Sequence, residues 1–171
     1  MTATPESAPT NPAHGVNPRT VLVTGATGYI GGRLVPRLLE AGHTVKVLVR
    51  TPAKIAGVPW LADVEVVQSS LDDGDALRAA LDGVDVLYYL VHSMAAGSGF
   101  ESKEKAMAET AARAAADAGV DRIVYLGGLH PAGAELSTHM RSREAVGKVF
   151  LDSPVDAIVF QAGVVIGSGS A

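Results

Sequence analysis

Three glycines are the residues with the clearest chemical purpose. In Gly25-Ala26-Thr27-Gly28-Tyr29-Ile30-Gly31 they recur at every third position, between a β-branched apolar run and a segment of helical periodicity, the setting in which a glycine-rich turn cradles phosphate. Gly25 permits a sharp exit from a strand, Gly28 lets backbone approach a pyrophosphate with no Cβ in the way, and Gly31 allows the next helix to pack closely on a sheet. The start of that helix adds free N–H groups and a partial positive charge, so the ligand it suits is an anion. Thr27, Tyr29 and Ile30 share the turn and join the glycines as candidate contacts.

A motif of this kind works only if the right elements hold it. Thr20–Thr24 reads as a strand buried on both faces, and Tyr29–Ala41 as a helix with apolar positions 30, 34, 38 and 41 and Gly42 as its stop. Pro36 inside that helix removes one hydrogen bond and predicts a mild kink. Further strands are expected over Val45–Val49, Val64–Gln68, Val84–Val91, Arg122–Leu126 and Ala157–Gln161. Helices are expected over Asp72–Leu81, with Asp72 or Asp73 as N-cap, and over Phe100–Ala118 and Ser137–Leu151. Arg50–Asp63, with Pro52, Gly57 and Pro59, predicts an irregular crossover. Six near-continuous apolar strands alternating with helices imply an α/β fold, a doubly wound parallel six-stranded sheet of Rossmann type with strand order 3-2-1-4-5-6.

In that arrangement the glycine turn would hold a dinucleotide. The end of strand two carries Arg50 and Thr51, where an NAD-selective domain places a carboxylate for the adenosine ribose hydroxyls. A guanidinium pairs bidentately with a phosphate, so NADP(H) is the preferred cofactor and NAD(H) the alternative. Arg33, in the first turn of the first helix, is a second cation for the same phosphate or a solvated residue. Leu90, Val91 and His92, at the carboxyl end of strand four, fall where such a sheet lines its crevice. Gly163 and Gly167 follow strand six, suited to backbone passing near the nicotinamide or to turns alone.

Thr24 through Gly31, with Asp82-Gly83-Val84-Asp85, Ile123 to Gly128 and Gln161-Ala162-Gly163-Val164-Val165-Ile166-Gly167, resembles the extended and atypical short-chain dehydrogenase/reductases, above all the NAD(P)H-binding NmrA-like members. The resemblance covers about residues 20 to 167. It implies an apolar adenine contact at Leu71, although Ser70 replaces the acid usual in the relatives. The Ser, Tyr and Lys of short-chain dehydrogenases are missing: on this alignment Gly128, His139 and Arg143 hold their places. His139 and Arg143 are four residues apart on one helix face, so an imidazole with a cation beside it is the candidate acid, against a plain solvated helix face. Asp72, Asp73 and Asp75 read as helix caps and dipole partners.

Composition narrows the function classes. The 171 residues are 47% hydrophobic and 19% charged with a formal charge of −4, enough for one cored domain and without the basic face that nucleic acid or an anionic membrane would require. There is no cysteine, which removes disulfides and thiolate chemistry and fits a cytoplasmic location. His14, His43, His92 and His130 show no metal-ligand spacing, so no metal is expected. Residues 1–18, with four prolines and no apolar core, read as a disordered tail. Residues 19–171 read as the dinucleotide-binding domain, without a C-terminal substrate-binding part. Two readings stay open. One is an NADPH-dependent oxidoreductase acting on a small carbonyl or quinone; the other is a catalytically silent NADP(H) sensor or scaffold with a protein partner. Nothing in the pattern selects an oligomeric state. If Arg50 meets a 2'-phosphate, Arg50→Ala weakens NADPH binding by about 10- to 100-fold, as the loss of a charge-assisted hydrogen bond does. Parallel titrations should show NADH binding nearly unchanged, and equal losses for both cofactors would refute the assignment.

Overall fold

The computed structural model describes residues 17–92, 99–129 and 135–167. Strand β1 (Thr20–Thr24) leads into helix α1 (Tyr29–Glu40) and strand β2 (Thr44–Val49). After β3 (Glu65–Gln68) come α2 (Gly74–Ala80), β4 (Val86–Tyr89), α3 (Phe100–Asp117), β5 (Arg122–Gly128), α4 (Thr138–Leu151) and β6 (Asp156–Ala162). All five neighbouring strand pairs are parallel, and the sheet runs β3-β2-β1-β4-β5-β6. The order reverses between β1 and β4, which opens a crevice at the carboxyl ends of those strands.

Alternating side chains divide the core in two. Val21, Val23, Val45, Val47 and Val49 face α1 through Val35 and Leu38, and the crossover after β2 closes that layer with Ile55 and Trp60. The crossover is irregular, as expected: two short 3-10 turns, Pro52–Ile55 and Leu61–Asp63. On the other face Leu22, Leu87 and Ile123 meet α2, α3 and α4, and the Ala-rich run of α3 (Ala108, Ala111, Ala112 and Ala115) lets that helix lie close to the sheet. Tyr89, Tyr125 and Phe150 form an aromatic knot at the β4–β5–α4 junction, with ring centroids 4.9 to 6.1 Å apart. The α1 side of β6 is barer, with Ile158 38% and Phe160 56% exposed.

Several boundaries differ from the sequence reading, each for a local reason. α1 runs through Pro36 as the expected single helix but ends at Glu40, because Ala41 is its C-cap. Of the two aspartates before α2, Asp73 is the cap, its carboxylate accepting from Ala76 N at 3.0 Å. β4 begins at Val86 rather than Val84, since Val84 N closes a turn on Leu81 O and the Asp85 carboxylate accepts from Thr20 N at 2.7 Å. β5 runs on to Gly128 because β6 keeps pairing with it as far as Gly128↔Ala162. The aromatic knot should carry a large share of the stability: Phe150→Ala is expected to cost about 3–5 kcal/mol, read as a lower midpoint in urea denaturation.

Candidate functional site

The glycine turn is built from close backbone approaches. Thr24 is fully buried, and its hydroxyl donates to Tyr88 O and accepts from Leu90 N, both at 3.2 Å, tying the end of β1 to the end of β4. Gly25 then turns with φ 77°, and a Cβ there would stand 2.9 Å from Leu90 O. Gly28 N donates to Gly25 O at 3.0 Å and closes the loop. A Cβ on Gly31 would collide with Gly25 O and lie 2.7 Å from Ala26 Cα, so α1 packs against its own leading loop with no room to spare. α1 has no side-chain cap and no acidic residue in its first turn. Its unpaired N–H groups therefore favour an anion.

This turn forms one wall of a cleft of about 960 Å³ at the carboxyl ends of the strands, near the upper end of the range for organic ligands. Gly25, Thr27, Gly28, Arg50, Thr51, Leu71, Leu90, Val91 and His92 all line it, so nine residues expected from the sequence converge on one space. Tyr29, Ile30 and Gly31 stand behind the lining, in the helix whose first turn points at it. Arg33 is not in the lining: its guanidinium lies over the Tyr29 ring, 3.7 Å from the centroid. Gly163 has open space around it and is also outside the lining, whereas Gly167 comes up against the Tyr29 hydroxyl.

Residues absent from the sequence reading complete the cleft. Phe100, Lys103 and Met107 face it from α3 at helical spacing, and Lys54 reaches it from the 3-10 turn after β2; the 100, 103, 107 periodicity was the available signal. Asp72 also lines the cleft and accepts a hydrogen bond from the Ser70 hydroxyl. That bond, then its own backbone N–H, hold the Asp72 carboxyl below the usual range, with Lys103 and Arg50 helping. The reading of Asp72 as a helix cap therefore gives way to a place on the cleft rim.

At the β4–β5 end His92 is half-buried, edge-on to Tyr125 with centroids 5.8 Å apart at 68°. Burial, and then the Arg143 cation, hold its imidazole below the ordinary histidine value, against smaller pulls from Glu104 and from the Leu126 carbonyl it bonds. Tyr125 is buried and its hydroxyl donates to Arg143 O at 3.3 Å, while burial pushes its phenol well up. It offers no phenol to the cleft. His139 is exposed and packs on Phe100, 4.8 Å between centroids; both it and Arg143 lie outside the cleft lining, which takes His92 instead. A side chain at Gly128 would displace Met140, whose Cε would lie 2.7 Å from its Cβ. Deeper between α3 and α4, the Ser142 hydroxyl donates to buried Glu104. His14 and His130 lie outside the described residues.

A family model described as NAD(P)H-binding matches residues 25–153. The chain belongs to that family. Among curated proteins it is 33% identical over 132 residues to a 3 beta-hydroxysteroid dehydrogenase/Delta 5-->4-isomerase of Mycobacterium tuberculosis, covering 67% of this chain and 35% of the relative. It is 35% identical over 137 residues to cinnamoyl-CoA reductase 1 of Arabidopsis thaliana, covering 75% of this chain and 38% of that protein. An NADPH-dependent quinone oxidoreductase from Escherichia coli, solved with NADPH, superposes with a TM-score of 0.70 at 26% identity over 82% of this chain and 48% of its own. Triphenylmethane reductase from Citrobacter sp., solved with NADP(H), shares the fold with a TM-score of 0.69 at 21% identity, covering 85% of this chain and 50% of that one. The chain thus spans about half the length of these solved structures and little over a third of these curated relatives. The likenesses place it among NAD(P)-binding Rossmann domains of the short-chain dehydrogenase/reductase type. Because Gly31 has no room for a methyl, Gly31→Ala should force α1 off the loop. Overpacking of about 1–3 kcal/mol should lower the thermal midpoint and weaken nicotinamide dinucleotide binding about tenfold, as calorimetry would read.

Proposed function

We propose that this domain binds NADP(H) and serves an oxidoreductase that reduces a small carbonyl or quinone compound. The observation that carries the reading is the single cleft joining the glycine turn to Arg50, Lys54 and Lys103 on one side and to Leu90, Val91 and His92 on the other. Main-chain N–H groups of residues 29–31, in the first turn of α1, take the diphosphate. Arg50, with Lys54 and Lys103 nearby, takes the 2'-phosphate, and three cations around one rim favour NADP(H) over NAD(H). Leu71, buried at the foot of that rim, gives the adenine an apolar face. When bound, the reduced cofactor supplies a hydride to the acceptor. Leu90, Val91, Phe100 and Met107 make the opposite wall apolar, which favours a flat unsaturated acceptor and excludes water around it.

A second reading has its own support. The Tyr125 hydroxyl is bound to main chain, Gly128 offers no hydroxyl, and His139 lies outside the cleft lining, so the usual proton relay has no counterpart among the described residues; this favours a nucleotide sensor. NADPH oxidation followed by its near-ultraviolet absorbance, against a panel of quinones and aldehydes, separates the two. Turnover with any member supports the reductase. Tight NADPH binding without turnover across the panel supports the sensor, and no binding of either nucleotide would remove both.

A further inference from the structure

The β4 wall of the cleft holds a polar group that neither phosphate binding nor the usual catalytic set accounts for. Around it Leu90, Val91, Phe100 and Met107 are apolar, so among the described residues His92 is the side chain of that wall able to accept a hydrogen bond in a neutral state. Its ring is held by Tyr125, which packs edge-on with centroids 5.8 Å apart. In the neutral imidazole one ring nitrogen carries no proton and is an acceptor. The charged and titratable groups facing the ring are Arg143 from α4, Glu104 from α3 and Tyr125 from β5. The Tyr125 hydroxyl is spent on Arg143 O. Burial and the Arg143 cation outweigh Glu104, so the ring is neutral near pH 7.

The topology supplies the donor. With a diphosphate on the glycine turn at the end of β1, and Arg50 and Leu71 taking one nucleoside over β2 and β3, the other nucleoside lies over β4 and β5. The group next to the diphosphate on that side is a ribose, whose hydroxyls are the nearest donors. We propose that neutral His92 accepts a hydrogen bond from a hydroxyl of the nicotinamide ribose and so fixes that half of the dinucleotide against β4 and β5. This rests on the cofactor reading above. It makes His92 a positioning residue with a built-in acid sensitivity, because protonation turns its one acceptor into a donor and adds a cation beside Arg143.

Calorimetric titration with NADP+, which withstands acid, tests this at about pH 7.5 and about pH 5.5, on either side of the histidine range. NAD+ runs alongside because it lacks the 2'-phosphate that titrates near pH 6 on its own. For the wild-type protein both nucleotides should bind roughly threefold to tenfold more weakly in acid, the worth of one hydrogen bond. The midpoint of the loss should lie below the ordinary histidine value. His92→Phe keeps a ring against Tyr125 but no acceptor: binding should be weaker by the same factor at neutral pH, with no further loss of NAD+ affinity in acid. His92→Gln restores a non-titrating acceptor and should recover neutral affinity without the acid loss, an outcome a purely structural role would not produce. Should either variant fail to fold, the His92 ring resonance of the wild-type protein decides: saturating NADP+ should lower its proton affinity by the same threefold to tenfold. NAD+ affinity that does not change with pH, or a His92 titration that NADP+ leaves unmoved or raises, would overturn the role of His92 while leaving the cofactor reading intact. Absence of any heat with either nucleotide at neutral pH would overturn the cofactor reading and the proposal together.

Discussion

A Cβ at Gly25 would lie 2.9 Å from the carbonyl oxygen of Leu90, and one at Gly31 would run into the carbonyl oxygen of Gly25. Those two approaches set the distance between β1, the loop and the first turn of α1. Because backbone meets backbone there, the helix start is brought up to the mouth of the crevice with its N–H groups free. The buried Thr24 hydroxyl finishes the clamp, accepting from Leu90 N and donating to Tyr88 O. Everything that lines the cleft is placed relative to this clamp. β2 brings Arg50 to one side by pairing with β1, and β4 brings Leu90 to His92 to the other by pairing with its opposite edge.

The two sides of the cleft differ in electrostatic character. On the β2–β3 side Arg50, Lys54, Lys103 and the Ser70-bound Asp72 form a charged, exposed rim, where each pair is screened and weak alone and only the excess of cations counts. On the β4–β5 side the aromatic knot of Tyr89, Tyr125 and Phe150 makes a low-dielectric floor, and burial there pushes both phenols up and the His92 imidazole down. The place that the resemblance gives to the serine of short-chain dehydrogenases, and the strand leading to it, are here taken up by packing. Gly128 sits under Met140, and Tyr125 spends its hydroxyl on main chain.

Strand order, helix count and the glycine turn are legible in the sequence because each rests on local pattern. Buried parallel strands read as unbroken apolar runs, helix stops carry glycine at 42, 83 and 119 with positive φ, and the turn motif needs only its neighbours in sequence. Element ends were less legible. Val84 and Asp85 look like strand residues, yet a turn bond to Leu81 O and a carboxylate bond to Thr20 N, both set by tertiary contacts, claim them first. Asp72 and Asp73 are alike in sequence, and which one caps α2 depends on where Ser70 stands.

By itself the sequence determined the fold class, the anion-seeking turn and the cation at the end of strand two, since these follow from residue type and short-range spacing. Tertiary structure decided which distant side chains share the cleft. Lys54 comes from the turn after β2 and Lys103 and Met107 from α3, and His92 rather than His139 lines the cleft. The physical reason is that periodicity tells which face of a helix is buried but not what stands opposite. The rotation of α3 and α4 against β4 and β5 is set by the packing of Tyr89, Tyr125, Phe150 and the α3 alanines, an interaction among residues far apart in the chain.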